Sequence, residues 1–189
     1  MIHVRLLLLP ILAALTIASS PLNYVLDASA SSVSAKVAFF GLASKTAQFP
    51  NMAGSVRIAP EQPDKAFIAV TLDARKLTAP DEVTLKRLRG EKFFWVEKYP
   101  TIQFFGDRLT MIDARRAKVQ GKLTARGVTR EETLDVTFDT APLTAPKGKA
   151  ITLSGEMQID RRDYGMTAYR LIVGRKVTIR MNARLVPGG

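Results

Sequence analysis

Val177-Thr178-Ile179-Arg180-Met181-Asn182-Ala183-Arg184-Leu185 places an apolar side chain at every odd position and a polar or charged one at every even position. Successive side chains of a β-strand point to opposite faces, so a period of two describes a strand with one dry and one wet face. Upstream, Ile151, Leu153, Met157 and Ile159 alternate in the same way with Thr152, Ser154, Glu156, Gln158 and Asp160. The pattern recurs at Leu134, Val136 and Phe138, at Val119, Leu123 and Ala125, at Ile68, Val70 and Leu72, and at Val33, Val37 and Phe39. Residues 24–30 and 52–59 are weaker candidates, for about eight strands in all.

Turn signals separate these segments. Ala53-Gly54 reads as a bulge, Ala59-Pro60 ends a strand, and Arg126-Gly127 reads as a tight hairpin between 117–125 and 128–139. Residues 141–148 are the stretch richest in Pro and Gly, yet strand-like segments flank them, so they read as a long hairpin loop rather than a linker. Two intervals break the alternation. Asp81, after Pro80, is a candidate cap for a short helix in which Val83, Leu85, Leu88 and Lys92 fall at helical spacing. Residues 161–174, with two glycines and two tyrosines, read as a loop or a second short helix. One-sided strands with so little helix must bury their apolar faces on each other, as a sandwich or a closed barrel. Long strands joined by hairpins favour an all-β antiparallel barrel of about eight strands, which is either filled by its own side chains or holds one small ligand. An outer-membrane barrel shows the same alternation with the faces exchanged, but the chain ends Val186-Pro187-Gly188-Gly189 without a terminal aromatic residue.

Residues 1–5 carry a basic charge and residues 6–18 are almost wholly apolar before Ser19 and Ser20, the pattern of a secretory leader. Cleavage is expected after Ala18 or Ser20, with Pro21 favouring the first, which leaves 19–189 as a single domain in the periplasm. Cysteine is absent and the one histidine, His3, lies in the leader. This removes disulfides, thiolate nucleophiles, the commonest general base and the commonest metal ligands, so neither an enzyme nor a metal centre is expected. The formal charge of +11 favours anionic partners; for an exported protein these are membrane or envelope components and not nucleic acid.

Six of the fourteen aromatic residues fall in one stretch, Phe93-Phe94-Trp95-Val96-Glu97-Lys98-Tyr99-Pro100-Thr101-Ile102-Gln103-Phe104-Phe105, so the chain delivers large rings to one corner of the fold. With the preceding Leu88-Arg89-Gly90-Glu91-Lys92 this stretch resembles the most recognisable motif of the YceI-like family. Gly121-Lys122-Leu123-Thr124-Ala125-Arg126-Gly127-Val128-Thr129 resembles that family's hairpin, and Ile159-Asp160-Arg161-Arg162-Asp163-Tyr164-Gly165-Met166 its later Arg-x-Asp-aromatic-Gly motif. The order agrees from Tyr24-Val25-Leu26-Asp27 to the last strand. The resemblance implies a lipocalin-like barrel, exported to the periplasm, that holds a polyisoprenoid, a quinone-like lipid or another long amphiphile and has no catalytic activity as a class. Where the family usually has His and then Gly-x-Phe, this chain has Phe39 and Ala47-Gln48-Phe49, and where Arg-Asp-x-His is common it has Thr84-Leu85-Lys86-Arg87. Head contacts made through those positions do not carry over, which points to a divergent ligand or a drier pocket.

Under a pocket reading, Phe39, Phe49, Phe93, Phe94, Ile102 and Phe104 face a channel with Val70, Leu72, Leu123, Val136 and Phe138. Leu153, Met157, Ile159 and Met166 join them, the methionines adapting to an irregular tail. Phe105, in the other phase from Ile102 and Phe104, belongs outside or at a rim. Arg87, Arg89, Lys92 and Arg161 are candidates for a ligand head or for transient membrane-surface contact. Asp163, beside Arg161 and Arg162, reads as a structural ion pair rather than an acid catalyst, and Tyr99-Pro100 as the fixing point of a turn. The alternative is a filled barrel acting as an interaction module, its basic outer face binding an anionic membrane or envelope component.

Overall fold

A computed structural model describes residues 21–41, 43–59, 62–142 and 148–188; the expected leader lies outside them. The first strands are β1 (Leu22–Leu26), shorter than the expected 24–30, β2 (Ser32–Phe39), β3 (Ala43–Gln48), which alternation did not indicate, β4 (Met52–Ala59) and β5 (Gln62–Asp73). After a helix follow β6 (Thr101–Met111), β7 (Arg116–Ala125), β8 (Val128–Phe138), β9 (Ile151–Asp160) and β10 (Val173–Pro187). Pairing is antiparallel throughout, from β4 to β10 in chain order, and β10 then pairs with both β2 and β1. β1 and β2 lie end to end along one edge of β10, with Leu26 opposite Leu185 and Val33 opposite Met181. β4 and β3 return beside them, with Val56 opposite Tyr24 and Ala47 opposite Ala35. The ten strands are therefore eight staves of a closed barrel, two of them interrupted. One break is a 3-10 turn at Ala28–Ala30, where the Asp27 carboxylate accepts the Ser29 N–H (3.2 Å). The other is Phe49-Pro50-Asn51, where proline has no N–H to offer a ladder.

Most turn readings take concrete form. Arg126 and Gly127 both have positive φ (51° and 74°), the two-residue turn whose twist suits a hairpin. The Asp81 carboxylate accepts the Thr84 N–H (2.8 Å) and opens α1 (Glu82–Arg89). Gly90 ends that helix, so Lys92 lies beyond it, contrary to the spacing-based expectation. Ala53-Gly54 is not a bulge either: Gly54 pairs in register with Val70, and the irregularities fall between Arg57 and Ala59 and between Gly106 and Arg108. Residues 161–174 contain a single 3-10 turn, Arg161–Tyr164, before β10 begins.

The apolar phase faces inward. The outer phase carries cross-strand ion pairs such as Lys118–Asp135 (2.6 Å), Arg180–Glu156 (2.7 Å) and Arg184–Asp27 (2.8 Å). A lipid-spanning barrel needs the opposite arrangement. Among the described residues no helix is long and apolar enough to cross a membrane.

Gly121 packs against the backbone of β6: an added Cβ would lie 2.3 Å from the Phe105 carbonyl oxygen and 2.7 Å from Gly106 Cα. Backbone atoms inside a ladder cannot yield. Gly121→Ala is therefore expected to cost about 2 kcal/mol or more, whereas Gly90→Ala, whose Cβ would have ordinary contacts at 3.4 Å, should cost under about 0.5 kcal/mol; urea unfolding of both variants checks the contrast. Acid sensitivity has identifiable sources. Lys45 and the Thr84 N–H hold the Asp81 carboxyl down to about 2, and the Arg115 N–H with the Arg116 side chain does the same for Asp113, also to about 2. Arg162, with Arg175 behind it, holds Asp160 well below the usual carboxylate range. A carboxyl lowered by folding adds stability above its unfolded value near 4, lost as pH falls through the folded value. The melting temperature should thus be flat down to about pH 5 and fall between about pH 4 and 2, with a shallower fall in Asp160→Asn.

Candidate functional site

At one end of the barrel, α1 and the aromatic segment close over the staves. Leu85 and Leu88 of α1 pack on the core. The chain then folds back on itself, the Phe94 N–H donating to Leu88 O (3.0 Å), Trp95 N–H to Gly90 O (3.0 Å) and Val96 N–H to Arg89 O (3.0 Å). These turns divide the aromatic residues. Phe93 and Val96 are buried and Phe94 meets Phe49 edge to face, ring centres 5.8 Å apart. Trp95 and Tyr99 turn outward over the β7–β8 hairpin, where the Tyr99 ring occupies the space a Cβ on Gly127 would need. Lys45 of β3 ties the helix to the wall through Asp81 (2.7 Å).

Beneath this cover lies a cavity of about 220 Å³. Its lining runs from Leu22, Ile58, Leu109 and Pro142 at one end of the barrel to Phe93, Phe94 and Met166 at the other. Along β10 it includes every inward residue from Val177 to Leu185, about 27 Å of strand or ~20 Å along the axis of a tilted barrel. The void is off-centre. Val56, Ile68, Val70, Ile179 and Met181 face inward yet remain only partly buried, whereas Val119, Leu134, Val136 and Leu153 are buried. Beside α1 the lining reaches half-exposed Lys45, Thr46, Thr84 and Leu88, where the lumen meets the surface between β3 and the helix.

One cation lines this apolar space and is itself buried: Arg161, 2 % exposed. Its Nε donates to Gly174 O (2.8 Å), one Nη to Val173 O (2.8 Å) and the other to Met166 O. Two acceptors are carbonyls of the first residues of β10 and the third lies in the segment before it, so Arg161 staples the start of β10 and its approach to the end of β9. The neighbouring carboxylate, Asp160, is engaged by Arg162 (3.1 Å) and Arg175 (2.8 Å). Burial, and then Arg162, lower the Arg161 pKa, but a guanidinium keeps its proton. A positive charge that has no ion-pair partner among the described residues therefore borders the lumen, above the face of Phe93 (6.0 Å). Tyr164, fully buried next to it, donates to Glu132 (2.8 Å); burial and that carboxylate push its hydroxyl pKa up.

Phe49, Val70, Leu72, Phe93, Phe94, Ile102, Phe104 and Leu123 all border the cavity, as do Val136, Phe138, Leu153, Met157, Ile159 and Met166. Phe39 does not: it packs edge to face on Phe40 (4.7 Å) under Lys45 at the tip of the β2–β3 hairpin, although Val173, its partner in the ladder, borders the cavity. Of the four basic candidates only Arg161 reaches the cavity. Arg87 and Lys92 lie over the Tyr169 ring and Arg89 donates to Leu77 O (3.1 Å), because the turn at Gly90 directs that stretch across the outside of the cap. The expected ion pair of Asp163 is corrected as well. The acid that binds Arg162 is Asp160, and Asp163 contributes its backbone carbonyl to Arg130 (3.4 Å). Phe105 is outward and 42 % exposed. Sequence reading missed the lining from Tyr24, Leu26, Val56 and Ile58, although their alternation carries the signal; Lys45, Thr84 and Leu88 had none, since only docking of α1 on β3 brings them together. Among the described residues no group of acids or histidines could hold a metal ion. The filled-barrel alternative does not fit a lumen that the inward side chains leave open.

Among curated proteins none matches the chain. In fold it is similar to Burkholderia cenocepacia BcnA, at 21% identity and a TM-score of 0.74 over 84% of this chain and 98% of that one. It is also similar to a polyisoprenoid binding domain from Saccharophagus degradans, at 16% identity and a TM-score of 0.68 over 88% of this chain and 99% of that domain. A third solved structure, the YCEI protein of Campylobacter jejuni, shares 18% identity and a TM-score of 0.63 over 76% and 85% of the two chains. At these identities the likeness establishes the fold. The family model of the YceI-like domain matches residues 24–185, from the first stave to the last, and the chain therefore belongs to the YceI-like family.

Proposed function

We propose that this protein is a periplasmic carrier or reservoir that holds a polyisoprenoid, a quinone-like lipid or another long amphiphile inside its barrel, without catalysing a reaction. The observation that carries this reading is the continuous apolar lumen bordered by a single buried cation. A void of about 220 Å³ left without an occupant forfeits packing on the order of 5 kcal/mol. A slender apolar chain recovers it: burying several hundred Å² of prenyl surface at roughly 25 cal/mol/Å² yields about 10 kcal/mol gross, from which immobilising the ligand subtracts substantially. The tail lies along the β10–β1–β4–β5 side and the polar head near Arg161, where a phosphate, a carboxylate or a quinone oxygen meets the unpaired guanidinium. The leader at residues 1–18 delivers the protein to the periplasm, and the basic residues of the cap make transient contact with a membrane surface.

Two measurements test the lumen. Organic extracts of purified protein, analysed by mass spectrometry, should contain a long prenyl or similar chain in near-stoichiometric amount; protein that is consistently empty and takes up no prenyl lipid would sink the proposal. Ile179→Trp places an indole in the open part of the lumen, and should reduce bound lipid about ten-fold or more while leaving the far-ultraviolet circular dichroism unchanged. Adding a prenyl lipid at a hundred times its Kd should raise the stability of the emptied wild type by about 2.7 kcal/mol, and that of Ile179→Trp by much less.

A further inference from the structure

The capped end of the barrel carries two turn tips that folding does not explain. Phe40, at the tip of the β2–β3 hairpin, is 65 % exposed and has a φ of 52°, in the left-handed region that bulky residues seldom adopt. Leu171, in the segment before β10, is fully exposed (100 %), and nearby Tyr169 has a φ of 54°. The Phe40 N–H donates to Ile172 O (2.8 Å), so the two tips stand side by side. Turn tips ordinarily carry Gly, Asn, Asp or Ser; here Leu171 makes no use of its apolar surface in the isolated protein, and Phe40 covers only part of its ring, against Phe39. Cations surround them. Arg87 and Lys92 lie 5.4 and 5.7 Å from the Tyr169 ring, and Arg170 separates Tyr169 from Leu171. None of the three belongs to an ion pair among the described residues.

We infer that this end of the barrel docks on a bilayer surface bearing anionic headgroups, with Phe40 and Leu171 entering the interface and Arg87, Lys92 and Arg170 lying against the headgroups. Apolar tips set among basic side chains suit such a boundary, because a fluid interface accepts protruding side chains and negative lipids attract the cations. A folded acidic protein suits it less, since a stable protein interface takes about 800 Å² per partner and two tips supply a fraction of that. The lumen meets the surface at this same end, between β3 and α1. Docking therefore brings the mouth against the lipid, and a long apolar chain passes between bilayer and barrel without exposing its length to water. This role rests on the proposal that the lumen carries a lipid; the docking surface itself rests on the tips and the cations.

The test uses the chain lacking residues 1–20, which retains every strand, and sedimentation with vesicles. It should sediment with vesicles of equal parts phosphatidylethanolamine and phosphatidylglycerol and not with phosphatidylcholine alone, and raising salt from about 0.05 M to about 0.5 M should release it. Phe40→Ser combined with Leu171→Ser should weaken binding about ten-fold or more while leaving the far-ultraviolet circular dichroism unchanged. The Ile179→Trp protein should sediment as wild type does, which separates docking from the content of the lumen. Absence of sedimentation with the anionic vesicles overturns the inference and leaves the patch to an acidic protein partner; so does equal binding by wild type and the double variant.

Discussion

Eight staves with every apolar face on one side can hide those faces only by curving until the last meets the first, and that meeting occurs where β10 pairs with β2 and β1. Closure removes the unpaired edges that an open sheet would present and converts a one-sided hydrophobic pattern into an interior. It also explains the length of β10. A single strand, Val173–Pro187, spans both halves of a stave broken at Ala28–Ala30, so the register of the whole ring is set along one continuous ladder.

Whether that interior is solid or hollow depends on side-chain size. The staves around β2, β3 and β4 turn small residues inward: Ala35, Ala47, Gly54 and Val56. Across the barrel β8 and β9 contribute Leu134, Phe138, Leu153 and Met157, which are buried against one another and against β7. The lumen runs between the two sides and is bordered by both. Gly106 and Gly121, facing each other in β6 and β7, let the wall of the packed side close tightly, since neither tolerates a Cβ at its present spacing.

The aromatic segment divides its residues between two tasks. Phe93 and Phe94 line the capped end of the lumen and Val96 is buried beside them, while Trp95 and Tyr99 fasten the segment to the Arg126-Gly127 hairpin. Arg161 works on the other side of the same end, holding the start of β10 and the Met166 carbonyl before it, and bringing the only buried cation among the described residues to the cavity. The end of the barrel that is most elaborately built is thus the end where the buried Arg161 and the exposed tips at Phe40 and Leu171 come together.

Alternation along the chain indicated most of the strands, though not β3, together with the inward phase, and a turn dipeptide marked the hairpin at Arg126-Gly127, because both are local properties of backbone geometry. Asp81 announced its helix for the same reason, by a hydrogen bond only three residues long. The departures have particular causes. Phe39 alternates correctly and pairs with Val173, which borders the cavity, yet its ring packs on Phe40 under Lys45 at the hairpin tip. Asp160 rather than Asp163 takes Arg162 because Asp160 caps the 3-10 turn, accepting the Arg162 N–H (3.0 Å) as well as its guanidinium, and Arg175, brought alongside by β10, shares the same carboxylate. The sequence by itself decided that the apolar faces must be enclosed; only the tertiary structure decided that enclosure leaves a lumen, because a void depends on the summed volumes of side chains that meet across the barrel from eight separate staves.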